Sequence, residues 1–77
     1  MEERILKLLS EEFPDVDFKS SSALVDDGIL DSLTITGIIA AITMEFGITI
    51  PYEEITEENF NSVAALAAMV ERLQTKQ

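Results

Sequence analysis

Apolar side chains recur at helical spacing in three stretches of this chain. Ile5, Leu6, Leu9 and Phe13 share one helix face, with Leu8 at its margin, and predict a helix over 2–13. Pro14 ends it, because the following ring disfavours helical angles at Phe13. Glu3 and Lys7, four apart in the favourable order, are expected to pair. Leu33, Ile38, Ile39, Ile42 and Phe46 predict a second helix over 32–46, stopped by a left-handed Gly47. Val63, Leu66, Ala67, Val70 and Leu73 predict a third over 62–73, capped by Asn61 or Ser62, with Gln74 to Gln77 frayed.

The segments between them are less regular. Residues 14–31 show no period and form a longer connection than most loops in a compact domain, so they should be packed down or functional. Val16, Phe18, Leu24, Val25, Ile29 and Leu30 are the side chains to pin this loop, and Ser20-Ser21-Ser22 can hold a short turn. Ile48 to Tyr52 is rich in β-branched residues, but one strand alone makes no sheet, so an extended loop ended by Pro51 is expected. A short helix is expected within 53–60, with Ile55 and Phe60 as its apolar contacts. The pattern gives an all-α fold: a single domain over 1–77, three main helices plus one short helix, and a long first loop.

Composition narrows this picture. A chain of 77 residues holds one core and buries only about 60–65% of its unfolded surface. Without cysteine it has neither disulfides nor thiolate zinc sites, so helix packing must supply the stability. No apolar run approaches the roughly 18–20 residues that span a membrane, and Met1-Glu2-Glu3 is acidic where a signal peptide is basic. A soluble, cytoplasmic monomer is expected, and the start at Met1 favours a freestanding protein.

Charge is the strongest compositional fact. Fifteen acidic residues against five basic leave a net charge of −10. Nucleic-acid binding, which rests on Lys and Arg neutralising phosphates, is excluded, and an anionic membrane would repel the chain. A partner with a basic patch would be steered toward it.

The residue inventory also limits the chemistry. There is no histidine and no cysteine, so a Ser-His-Asp arrangement is impossible, and Asp31 is the only obvious base beside Ser32. Standalone catalysis is not expected. Asp15-x-Asp17 opens like a calcium loop, but Lys19 and Ser20 stand where that loop needs an oxygen ligand and then glycine. No resident metal is expected.

One motif remains, Asp27-Gly28-Ile29-Leu30-Asp31-Ser32-Leu33. Gly28 permits a sharp turn, and Asp31 and Ser32 are both good N-cap types for the helix that follows. Read alone, the motif is a helix cap. Together with the helix ending Glu45-Phe46-Gly47-Ile48-Thr49-Ile50-Pro51, it resembles the acyl carrier protein family over roughly Ile5 to Leu73. The resemblance implies 4′-phosphopantetheine carried covalently on Ser32, within the motif Asp31-Ser32-Leu33. It further implies that Asp31 helps a phosphopantetheinyl transferase hold Mg²⁺ during transfer from coenzyme A. The implied function is to tether an acyl or aminoacyl thioester and deliver it to enzymes of fatty-acid, polyketide or related biosynthesis. Two alternatives stay open: an unmodified carrier-fold interaction module, and a carrier resembling the D-alanyl carrier proteins of a cell-wall or peptide pathway.

Two further sets of residues belong to this reading. Ile39, Ala40 and Ile42, with Leu66, Ala67 and Val70, are candidates for an acyl groove between helices, against ordinary core packing. Fatty-acid carriers commonly show acids on the outer face of the second helix. Here Thr34, Ile35, Gly37, Thr43 and Met44 are expected outside the core stripe, and Glu45 is the only acid after Asp31 in that helix. Thr34, Ile35, Gly37 and Met44 are the candidate partner face, with apolar surface at Ile35 and Met44. Gly37 costs about 1 kcal/mol against alanine inside a helix, which points to close approach by another backbone or to nothing at all.

Overall fold

Phe13, held ahead of Pro14, leaves helical angles at φ −130° and ψ 69°, and so ends the first helix, α1 (Glu2–Glu12). The computed structural model describes residues 1–19 and 23–76. The turn expected at Ser20-Ser21-Ser22 lies outside the described residues, as does Gln77. After α1 come α2 (Ser32–Phe46), a 3₁₀ turn (Tyr52–Glu54), α3 (Glu57–Phe60) and α4 (Val63–Lys76). No strand forms among the described residues, so the architecture is the expected small helical bundle.

The other helix ends follow from local chemistry. Gly47 closes α2 at φ 64°, where its N–H donates to the Thr43 carbonyl. Ser62 caps α4 by accepting from the Ala65 N–H at 3.0 Å. α4 extends beyond its expected end at Leu73, through Gln74 and Thr75 to Lys76. Nothing after Leu73 breaks the helix, and a cation in its last turn suits the dipole.

The core forms where α1 and α4 pack together, with α2 against α1 and α3 against α4. Ile5, Leu9, Ile38, Ile42, Leu66, Met69 and Val70 are fully buried there. Each such side chain is worth about 1.5–3 kcal/mol relative to exposure. The long first loop is packed down by Phe18, Leu24 and Leu30, all buried. Ile48 and Ile50 point inward on either side of exposed Thr49, giving extended backbone without a sheet.

Several expectations need correction. Leu33, placed in the core stripe of α2, is 84% exposed. Ile55, expected to pack beside Phe60, is 38% exposed, and only Phe60 is buried. Among the described residues Glu3 and Lys7 form no ion pair. Arg4 instead reaches Glu45 Oε2 at 3.4 Å and lies 4.4 Å above the Phe46 ring. The exposed ion pair contributes little by itself, and the cation–π contact adds about 0.5–1 kcal/mol. Together they join the start of α1 to the end of α2, so these helices run antiparallel. At the opposite end of the pair, Gly37 admits the Phe13 side chain and not another backbone.

No helix among the described residues is long and apolar enough to cross a membrane.

Candidate functional site

The segment leading into α2 is a wound turn. The Asp27 N–H donates to the Ala23 carbonyl at 2.7 Å, and the Gly28 N–H to Val25 at 3.0 Å. The Ile29 and Leu30 N–H groups both donate to the Leu24 carbonyl, at 2.9 and 3.1 Å. Gly28 makes the reversal possible at φ 74°, a conformation costly for other residues. Leu24 and Leu30, one on each side, are buried and fix the turn to the core.

A distant residue completes the clamp. The Asn61 carbonyl accepts from the Leu24 N–H at 2.8 Å. Its side-chain oxygen accepts from the Val25 and Asp26 N–H groups at 2.9 and 3.1 Å, and its Nδ2 donates to Asp26 Oδ2 at 3.2 Å. Asn61 therefore ties the loop to the junction of α3 and α4, while Ser62 does the capping.

The turn delivers Asp31 as the N-cap of α2. Its carboxylate accepts from the Thr34 N–H at 2.8 Å. That amide, and then the Thr34 hydroxyl, hold the fully exposed Asp31 carboxyl below its ordinary value of 3.8. Ser32 follows as the first residue of α2 and is exposed. Its carbonyl accepts from Thr36 Oγ1 at 2.8 Å, while its own hydroxyl makes no hydrogen bond among the described residues. With Leu33, three consecutive motif side chains thus face water.

These surroundings fit a covalently attached phosphopantetheine. Ser32 is exposed to a modifying enzyme, and among the described residues its hydroxyl has no hydrogen bond to break. A phosphodiester there would lie beside first-turn N–H groups and the positive end of the α2 dipole, which favour its charge. The Asp31 carboxylate opposes that charge in the absence of a cation.

The other candidate residues divide. Of the proposed acyl groove, Ile42, Leu66 and Val70 are fully buried, Ala67 nearly so, and Ile39 is half-buried against the core. Ala40 is exposed on the far side of α2, so the six do not line one groove, because α2 turns Ala40 away from Ile42. The proposed partner face also splits. Met44 is 85% exposed and, with Gly37 and Ala40, lines a cleft of about 380 Å³ between α1 and α2. Ile35 points the other way and packs on the core, and Thr34 is half-buried with its N–H on Asp31. Ile35 instead borders a hollow of about 160 Å³ with Val25, Ile55, Thr56, Glu57 and Phe60. Sequence reading passed over both this hollow and the role of Asn61.

Comparison with known proteins agrees with the local geometry. The sequence matches the family described as "Phosphopantetheine attachment site" over residues 3–70. Aminoacyl carrier protein 1 of Bradyrhizobium diazoefficiens is 39% identical over 71 residues, covering 87% of this chain and 78% of that protein. The D-alanyl carrier protein of Streptococcus pyogenes serotype M5 is 32% identical over 75 residues, covering 96% of this chain and 95% of the relative. No solved structure matches. The chain belongs to the phosphopantetheine-attachment family of carrier proteins, which hold the cofactor covalently on a serine and perform no catalysis of their own.

Proposed function

We propose that Ser32 is the attachment serine and that the chain carries an aminoacyl group or a short acyl group for partner enzymes. The observation that carries this reading is the exposed, unengaged Ser32 hydroxyl at the start of α2, behind the Asp31 cap. Phosphopantetheine, when bound, supplies a terminal thiol on which a carboxylic acid is held as a thioester. The protein's own part is to present that arm at a defined place, raising the effective concentration of cargo at each partner. Asp31, in the complex with the transferase, shares Mg²⁺ with the phosphates of coenzyme A, as oxygen ligands favour.

Two features favour aminoacyl over long fatty cargo. The relatives are named as aminoacyl and D-alanyl carriers. The hollow one helical turn from Ser32 holds about 160 Å³, below the roughly 300–1,000 Å³ of pockets that enclose drug-sized ligands. The partners are then a phosphopantetheinyl transferase and an aminoacyl-loading enzyme, with basic or apolar docking patches that answer the acidity of the chain and the exposed Leu33 and Met44. The corresponding compartment is the cytoplasm, where coenzyme A is available.

The test is incubation with coenzyme A and a broad-specificity phosphopantetheinyl transferase, followed by intact mass. A gain of one phosphopantetheine in the wild type and none in Ser32→Ala is expected. No gain, or an equal gain in Ser32→Ala, overturns the proposal.

The exposed apolar pair Leu33 and Met44 favours a second reading, a carrier fold kept for protein contacts and never modified. Only unmodified protein in the native host, with full function of Ser32→Ala there, would establish it over the first.

A further inference from the structure

We infer that Asn61 and Asp26 form a positioning pair for Ser32, and that the amide-to-carboxylate contact between them sets how fast a phosphopantetheinyl transferase loads the serine. The inference rests on the carrier reading of Ser32 and assigns a role in that loading step to residues outside the attachment motif.

Asn61 stands at the end of α3 in helical backbone, at φ −74° and ψ −21°. Three successive N–H groups open the turn before α2, and all three donate to this one residue. Leu24 reaches its carbonyl at 2.8 Å, while Val25 and Asp26 reach its Oδ1 at 2.9 and 3.1 Å. Asn61 thus serves this turn as an N-cap serves its own helix, but from a distant part of the chain. A side-chain amide presents an acceptor on one side and donors on the other, and rotation about its last bond exchanges them. Asp26 removes that freedom. Its carboxylate only accepts, so it holds Nδ2 at 3.2 Å and leaves Oδ1 facing the two N–H groups.

The main chain passes this contact on to the serine. Leu24, whose N–H is on Asn61, accepts at its own carbonyl from the Ile29 and Leu30 N–H groups at 2.9 and 3.1 Å. Leu30 is buried, and Asp31 after it caps α2 on the Thr34 N–H at 2.8 Å. Ser32 comes next, and among the described residues no hydrogen bond of its own hydroxyl fixes that oxygen. Backbone placement is what aims it. In loading, Ser32 Oγ bonds to the phosphorus next to the pantetheine and the pyrophosphate bond of coenzyme A breaks. The adenine nucleotide leaves, and the serine proton passes to a base of the transferase. Misplacing a reacting group by about 1 Å can cost about 100-fold in rate.

The test exchanges the two ends of the contact. Asn61→Asp keeps an oxygen for the Val25 and Asp26 N–H groups but sets one carboxylate against another. Asp26→Ala removes an exposed partner whose carboxylate, among the described residues, bonds only to Asn61. In steady-state loading with coenzyme A, each should lower kcat about fivefold or more and leave KM for the carrier within about twofold of wild type. Assays run well below each variant's melting temperature, where a merely stabilising contact leaves kcat unchanged. Asp26→Asn combined with Asn61→Asp rebuilds the contact with donor and acceptor reversed, and should bring kcat back to within about twofold of wild type. Glu58→Gln combined with Asn61→Asp restores the net charge alone and should not. Should Asn61→Asp fail to fold, Asp26→Ala decides alone. An unchanged kcat in a folded single variant, no recovery in the double exchange, or equal recovery with Glu58→Gln overturns the inference and leaves the carrier reading intact. Absence of any loading on wild-type Ser32 overturns both.

Discussion

The edge of the Phe13 ring occupies the place where a side chain on residue 37 would begin: a Cβ on Gly37 would lie 2.7 Å from Phe13 Cζ. Two opposing effects follow from Gly37→Ala. Alanine favours the helix by about 0.8–1.0 kcal/mol, while the ring must shift. The single substitution is expected to change stability by less than about 1 kcal/mol. In a Phe13→Ala background it should recover the full helix gain. Urea unfolding of the four proteins measures this coupling, and additivity of the two substitutions would refute it.

Asn61 satisfies two backbone N–H groups of a loop far away in sequence. Asn61→Ala leaves them without partners and should cost about 1–3 kcal/mol in urea unfolding. It should also slow loading of Ser32 by the transferase, since the turn before α2 loses its outer clamp.

Two leucines three positions apart should behave oppositely. Leu30 is 4% exposed and Leu33 is 84% exposed. Leu30→Ala should destabilise by about 2–5 kcal/mol. Leu33→Ala should stay within about 0.5 kcal/mol of wild type in the same melts and denaturant curves.

Asp31 sets an acid-side dependence. Its carboxyl is held below 3.8 by the Thr34 amide and hydroxyl, so its contribution is fully present above that value. It is lost as pH falls through the lower folded value. Thermal melts of wild type and Asp31→Asn should therefore differ near neutral pH and converge in strong acid. Carbon NMR of the Asp31 carboxyl gives the titration directly, and a midpoint at or above 3.8 would refute the assignment.

What the sequence made legible was local. Pro14, Gly28 and Gly47 act on their own neighbours, so the ends they impose could be read one residue at a time. The helical class, the long loop and the exposed-serine motif followed. The orientation of α2 did not, because Leu33, Ile35, Ile38, Ile39, Ala40, Ala41, Ile42, Met44 and Phe46 leave almost no polar face to mark the outside. Periodicity alone could not choose between Leu33 and Ile35 for the core. Asn61 carried no local mark of its long-range contacts, and the hollow beside Ile35 needed the path of residues 55–60.

The amide that grips Val25 and Asp26 belongs to the hinge between the last two helices, not to the helix that bears the serine. A partner that moved α3 outward would therefore pull on the hydrogen bonds that hold the turn before Ser32. Displacement of α3 and loosening of the turn before α2 are thus coupled through one side chain.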